Sequence, residues 1–279
     1  PNIKRYVTEA ADEAGITQHI RFKHRVIESN WNSASARWEV TVKRTDTGER
    51  VRFECRFLMM CSGYYRYDHG HVVNFEGEKD FKGDIVHPQL WPENFDYSGK
   101  KVVIIGSGAT AVTLVPAMAD TAGHVTMLQR SPTYIAPRPA RDPVANFLGK
   151  ILPRRAAYSA TRIKNVLISI IFFELAKRHP QMIRNMVMKH IRAELGDKMD
   201  VEKHFTPKYN PWDERFCAAP DGDFFDVIKN DQASVVTDHI ERFTETGIQL
   251  KSGEQLEADV IIPATGLEML LAGGMEFNL

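Results

Sequence analysis

Gly106-Ser107-Gly108-Ala109-Thr110-Ala111 is a small-residue turn with the spacing of a phosphate cradle. It follows the apolar, strand-length run Lys101–Ile105 at once and opens a helical stretch. A second apolar run, His124–Leu128, closes the unit. The order matters chemically. The first glycine makes the tight turn out of the strand, the second lets backbone approach a pyrophosphate, and the third small residue lets helix and strand pack closely. Phosphate oxygens then rest on the helix N-terminus, where free N–H groups and the helix dipole favour anions. The glycine spacing alone is weak evidence, but here the strand before it and the helix after it supply the required context.

The residues after the second strand bear on which dinucleotide would sit there. An acid at that place holds a ribose 2′-hydroxyl, whereas an arginine suits a 2′-phosphate. This chain has Gln129-Arg130-Ser131 and no acid, which predicts NADPH rather than NADH.

Just upstream, Phe81-x-Gly83-x-x-x-His87-x-x-x-Trp91-Pro92 immediately precedes the glycine turn. The pattern matches, position for position, the fingerprint of the Baeyer–Villiger monooxygenases, which are class B flavoprotein monooxygenases. The related flavin-containing monooxygenases usually carry Tyr or Phe where Trp91 stands. The wider text (Cys61–Asp68, Gly106–Ala119, Leu128–Ile135, His204–Cys217 and Ala264–Leu267) resembles the ethionamide-activating branch of that family, over nearly the whole chain.

The resemblance implies an α/β flavoprotein of the two-dinucleotide-binding type. The complete enzyme would use NADPH to reduce FAD and capture O2 as a C4a-peroxyflavin. It would then insert one oxygen atom into a ketone or a sulfur-containing substrate. By resemblance Arg215 falls on the active-site arginine, a permanent cation suited to stabilising an anionic peroxide. Glu214 stands where many relatives have a lysine. The turns Cys61-Ser62-Gly63 and Ala264-Thr265-Gly266 end apolar strands and would lie by the cofactors. Ser62, Gly63, Ala264, Thr265 and Gly266 are therefore candidate contacts. His87 sits on a linker between nucleotide domains, so a positional role is expected in preference to acid–base work. The family carries an earlier glycine motif for FAD, and this text has one such motif only. The chain therefore reads as an internal fragment of a longer protein. Two alternatives stay open: a flavin hydroxylase or NADPH reductase without Baeyer–Villiger activity, and an NADPH-binding remnant.

These residues must be positioned by a chain of 279 residues, 43 % hydrophobic and 26 % charged, with a formal net charge of zero. Such a composition is that of a soluble globular protein of about two domains and gives no overall pull toward nucleic acid. Three scattered cysteines exclude a disulfide framework, and no CxxC supports a metal or dithiol centre. A reducing, cytoplasmic setting fits. The domain expectation is a partial FAD domain at 1–92 with an antiparallel β-meander, a Rossmann-type NADP domain at 93–262, and a return at 263–279. Helix is expected at Tyr6–Ala14. Strands are expected at Ile20–Ile27, Trp38–Val42, Val51–Phe57, Phe57–Met60, Ala233–Val236 and Asp259–Pro263, with a further meander over residues 240–256. Pro132 to Pro139 reads as a loop, and His204–Arg215 as a structured, proline- and aromatic-rich loop.

Residues 141–205 form an expected helical insertion, broken at Pro153 and Pro180. From Arg141 to Arg192 it carries eleven Lys or Arg against Asp142 and Glu174, with the apolar run Val166–Leu175 inside it. A basic helical cover over the cofactor cleft, a surface touching anionic membrane, and a nucleic-acid surface are three readings of that pattern. The last lacks any aromatic–basic platform. The substrate and the oligomeric state are not legible.

Overall fold

A computed structural model describes residues 2–279. The chain forms two units. One comprises residues up to Asp68 together with Leu267–Leu279, and the other comprises His69–Gly266.

The first unit opens with helix α1 (Asn2–Glu13) and continues into an antiparallel meander of β1 (His24–Asn32), β2 (Arg37–Arg44) and β3 (Arg50–Cys55). Strand β14 (Glu276–Asn278) adds to the free edge of β1 in parallel, pairing Glu28 with Glu276 and Asn30 with Asn278. The expected strand at Ile20–Ile27 begins later, at His24, because Thr17–His19 takes a 3-10 turn. The expected strand at Phe57–Met60 does not form. Phe57, Met59 and Met60 are exposed, and no strand among the described residues pairs with them. A β-ladder needs a partner for its amides, and this segment has none here.

The second unit is built on a five-stranded parallel sheet. Its strands are β4 (Asp84–Ile85), β5 (Lys101–Ile105), β6 (His124–Gln129), β9 (Ala233–Thr237) and β13 (Val260–Pro263), in the order β4-β13-β5-β6-β9. Alternation along β5 sends Val102 and Ile104 to one face and Val103 and Ile105 to the other, all four buried. Each such side chain contributes on the order of 1.5–3 kcal/mol relative to exposure. On the first face lie α2 (Ala109–Ala119), α5 (Pro180–Leu195) and α7 (Asp223–Lys229). On the second lies a meander of β10 (Ile240–Thr244), β11 (Gly247–Leu250) and β12 (Gln255–Glu257), which contributes Phe243, Ile248 and Leu250.

The sequence reading carries the first domain to residue 92. In the structure residues 69–92 belong to the second unit, because β4 is hydrogen-bonded into its sheet beside β13. The stretch after Pro132, read as a loop, is in part strand β7 (Tyr134–Arg138), parallel to β8 (Phe216–Pro220). Prolines are tolerated in such a two-stranded ribbon because each strand has a free edge. Tyr134 and Ile135 are fully buried and anchor it. The insertion is α3 (Pro143–Ile151), α4 (Arg154–Arg178), α5 and the short α6 (Val201–Phe205). It breaks at both expected prolines: Pro153 precedes α4, and Pro180 starts α5, where a missing N–H costs nothing.

Candidate functional site

The parallel sheet changes direction at β5. From β5 the chain runs outward to β6 and β9, then returns to lay β13 on the other side of β5. In open α/β sheets the crevice beyond the carboxyl ends of the strands at such a switch is where ligands bind. The glycine turn stands there. Gly106 has φ +136°, and a Cβ placed on it would lie 2.5 Å from the carbonyl oxygen of Ala264. Only glycine lets the end of β5 pass that close to the end of β13. The Gly106 amide donates to Leu128 O (2.8 Å), and Ser107 Oγ donates to Ser131 O (3.2 Å). The turn is thereby tied to the end of β6.

Helix α2 starts with Gly108 at its N-cap, without any side-chain cap and without an acid in its first turn. Its leading amides therefore keep the orphan donors that an anion would satisfy. Ala109 and Thr110 are exposed, whereas Ala111 is buried where the helix crosses the sheet. That is the close packing the third small residue was expected to allow.

The three residues at the end of β6, Gln129 to Ser131, have different surroundings. Arg130 is exposed and has no ion-pair partner among the described residues. Gln129 is buried, and its Nε2 donates to His204 O (2.7 Å) and Thr237 Oγ1 (2.9 Å). His204 Nδ1 shares the same hydroxyl at 2.8 Å, and burial pushes the His204 imidazole below its ordinary pKa. The Gln129 side chain is thus committed to holding the 204–209 segment beside the end of β6. Ser131 takes part through its carbonyl.

That segment carries Arg215 to the site. Tyr209 donates from its hydroxyl to Arg215 O (2.9 Å) and shares a hydrogen bond with Thr133 Oγ1 (2.8 Å), while Tyr134 donates to Tyr209 O (2.8 Å). A methyl placed on Gly108 would lie 4.0 Å from Cδ of Arg215, so the arginine stem passes beside the glycine turn. Asp213 does not neutralise Arg215: it pairs with Lys177 at 2.7 Å, and that lysine holds its carboxyl below the usual range. Cys217, two residues on, is buried, which raises its thiol pKa. None of these ties between residues 129–134 and 204–215 is visible as a short-range pattern.

The fingerprint residues bolt the outer edge of the sheet. Phe81 packs on Phe243 (6.4 Å, edge-on). A Cβ on Gly83 would lie 2.3 Å from Asp259 O, which explains the glycine between Phe81 and β4. Trp91 packs edge-on to Phe95 and Tyr97 and is followed by Pro92. His87 Nδ1 accepts from the Gln89 amide (3.2 Å), and its Nε2 is buried without a partner among the described residues. Burial also lowers the His87 pKa. Gly70 lies flat on this ring, where an added Cβ would meet His87 Cε1 at 2.0 Å. Thr265 Oγ1 donates to His71 O (3.4 Å), so the Ala264-Thr265-Gly266 turn and the segment covering His87 are joined. Gly106, Gly108, Arg215 and Ala264 thus meet at the carboxyl ends of β5 and β13. Ser62 and Gly63 belong to the first unit, where Gly63 has φ +71° and accepts from the Ala272 amide (3.2 Å). Among the described residues no cluster could hold a metal ion.

Comparison with known proteins places this geometry. A family model described as Flavin-binding monooxygenase-like matches residues 1–270. The FAD-containing monooxygenase EthA of Mycolicibacterium smegmatis is 52 % identical over 275 residues, covering 98 % of this chain and 56 % of the relative. EthA of Mycobacterium tuberculosis is 51 % identical over 273 residues, covering 98 % and 55 %. The chain thus spans about half the length of the curated relatives it matches. Among solved structures, an oxidized steroid monooxygenase bound to NADP superposes with a TM-score of 0.76 at 23 % identity, covering 99 % of this chain and 59 % of that one. OTEMO in complex with FAD and NADP superposes with a TM-score of 0.72 at 25 % identity, covering 99 % and 58 %. The fold is the α/β, two-dinucleotide-binding type expected from the glycine turn and the fingerprint, and the chain belongs to the flavin-binding monooxygenase-like family.

Proposed function

We propose that the protein carrying this chain is an NADPH- and FAD-dependent monooxygenase. It inserts one atom of O2 into an organic carbonyl, giving an ester or lactone, or into a soft sulfur, giving the S-oxide. The observation that carries the reading is the placement of Arg215: exposed, not neutralised by Asp213, and held with its stem beside Gly108 at the switch point of the sheet.

The residues present fit a phosphorylated dinucleotide. The uncapped first turn of α2 would receive the pyrophosphate, and Gly106 and Gly108 let backbone approach it. Arg130, exposed and without an ion-pair partner among the described residues, would take the 2′-phosphate in a fork that a lysine could not reproduce. Ala264, Thr265 and Gly266 in the second unit, and Ser62 and Gly63 in the first, are the turns that would contact the cofactors. The first unit then corresponds to part of an FAD domain. The second corresponds to the NADP domain with its helical insertion at about 141–205. When bound, NADPH supplies the hydride and FAD the oxygen chemistry. The chain supplies binding, orientation and charge.

Arg215 contributes a cation that no change of working pH removes, aimed at negative charge that develops during oxygenation. The Tyr209–Thr133 hydrogen bonds on its carbonyl fix its backbone, so the charge is pre-positioned. His87, wedged under Gly70, acts as a positioning residue for the edge that carries Thr265.

The test is a product assay on the full-length protein with NADPH, a simple ketone and a thioether under labelled O2. One labelled oxygen in the ester or sulfoxide is expected. NADPH consumption with no oxygen inserted into either substrate would sink the monooxygenase reading and favour a reductase.

A further inference from the structure

We propose that the α3–α4 hairpin is a lipid-docking surface that seats the protein on an anionic bilayer. Helix α4 is pinned to the second unit only near its C-terminal end. There Phe172 packs edge-on to Trp212 and Phe216, and Ala176 is fully buried. At the other end Ala157 alone is buried. Between them the helix carries the stripe Ile163, Val166, Leu167, Ile170 and Ile171, with the spacing of one helix face. Ile163, Leu167, Ile170 and Ile171 are 60, 52, 54 and 56 % exposed. Helix α3 adds a stripe of its own at i, i+3 and i+7: Val144, Phe147 and Ile151, all exposed. Clustered apolar side chains left in water in this way mark protein or membrane contact sites.

The charges around the patch select the occupant. Asp142 caps α3 and binds Lys164, which holds its carboxyl down at about 2 and locks α3 against α4. Lys177 and Arg178 are paired with Asp213 and Glu174. That leaves Arg141, Lys150, Arg154, Arg155 and Arg162 on the hairpin without an acidic partner among the described residues. An apolar face rimmed by unneutralised cations is complementary to acyl chains beneath anionic headgroups. No helix among the described residues is long and apolar enough to cross a membrane, so the hairpin lies on the surface rather than spanning it.

The experiment is co-sedimentation of the full-length protein with vesicles of phosphatidylcholine containing about one-third phosphatidylglycerol, against phosphatidylcholine alone. Each basic residue at an anionic surface is worth about fivefold in affinity. The wild type should bind the anionic vesicles more than tenfold better, and added salt should release it. Leu167→Glu/Ile170→Glu and, separately, Arg154→Glu/Arg155→Glu should each lower that binding more than tenfold. All four positions are exposed, so thermal unfolding and NADPH titration should be unchanged. No retention on anionic vesicles overturns the proposal, as does retention that neither variant weakens. If α4 amides in the vesicle-free full-length protein exchange as slowly as the core, the rest of the chain covers the face and the proposal is wrong. If Leu167→Glu/Ile170→Glu splits an oligomer without changing vesicle binding, a second copy covers it, and the proposal is equally wrong.

Discussion

Replacing Gly106 with alanine tests the switch-point geometry most directly. The new methyl would stand 2.5 Å from Ala264 O, so the ends of β5 and β13 must part by about 0.9 Å to reach an ordinary 3.4 Å contact. Both sides are backbone, and Pro263 and Ile105 are paired just before them, so no flexible side chain can give way. Two costs add: alanine at φ +136° is strained by about 1–3 kcal/mol, and the forced contact costs about 1–3 kcal/mol more. Gly253 provides the control. It has φ +91° and nothing within 4 Å, so Gly253→Ala carries the strain without the clash. The strain is common to both variants, so the clash alone separates them, and at roughly 2–4 °C per kcal/mol for a unit of this size Gly106→Ala should melt about 2–12 °C below Gly253→Ala in the full-length protein. NADPH affinity should fall about tenfold or more in Gly106→Ala alone, since only that substitution moves the turn. A Gly106→Ala protein that melts with or above Gly253→Ala, and titrates NADPH normally, would falsify the close approach of the two strand ends.

Arg130→Ala should weaken NADPH about tenfold, the lower end for a hydrogen-bonded charge at an exposed site, and leave NADH unchanged. The ratio of the two dissociation constants is the readout, and an unaltered ratio removes Arg130 from the 2′-phosphate. Arg215→Ala should spare NADPH binding while labelled-oxygen insertion drops by 10²-fold or more; wild-type insertion by that variant ends the proposed role. Burial depresses the pKa of His204, so the unfolded chain binds more protons than the native one as pH falls through 6.5 toward the lowered folded value. Stability should therefore decline over that window and level off below it. His204→Asn should flatten the slope, and an unchanged slope in chemical denaturation across pH 5–7.5 assigns it elsewhere.

What the sequence made legible was local. The β5–turn–α2–β6 unit is contiguous, and its strands, glycine turn and buried Ala111 are each dictated by neighbours a few residues away. The meander and the proline-broken helices follow for the same reason. Arg215 beside Gly108 joins residues more than a hundred positions apart, through Tyr209, Thr133 and Tyr134, and no periodicity encodes such a meeting. Gln129 illustrates the converse. Its position at the end of β6 suggested a ligand contact, but a polar side chain buried there must satisfy its amide, and His204 and Thr237 do so. Phe57–Met60 has the composition of a strand and lacks a partner among the described residues, since composition cannot supply the other half of a ladder.

The parallel pairing of β14 with β1 has a kinetic meaning during synthesis. The edge of β1 on which Glu276–Asn278 is laid emerges from the ribosome roughly 250 residues before its partner, and at about 5–20 residues per second that is an interval of about 12–50 seconds. Throughout it, His69–Gly266 can complete its own sheet, while the meander waits with one edge of its nine-residue strand β1 open. An open edge of that length is a template for foreign strands. Nascent chains stalled before Glu276 should therefore be the chaperone-bound population, and those stalled beyond Asn278 should be released.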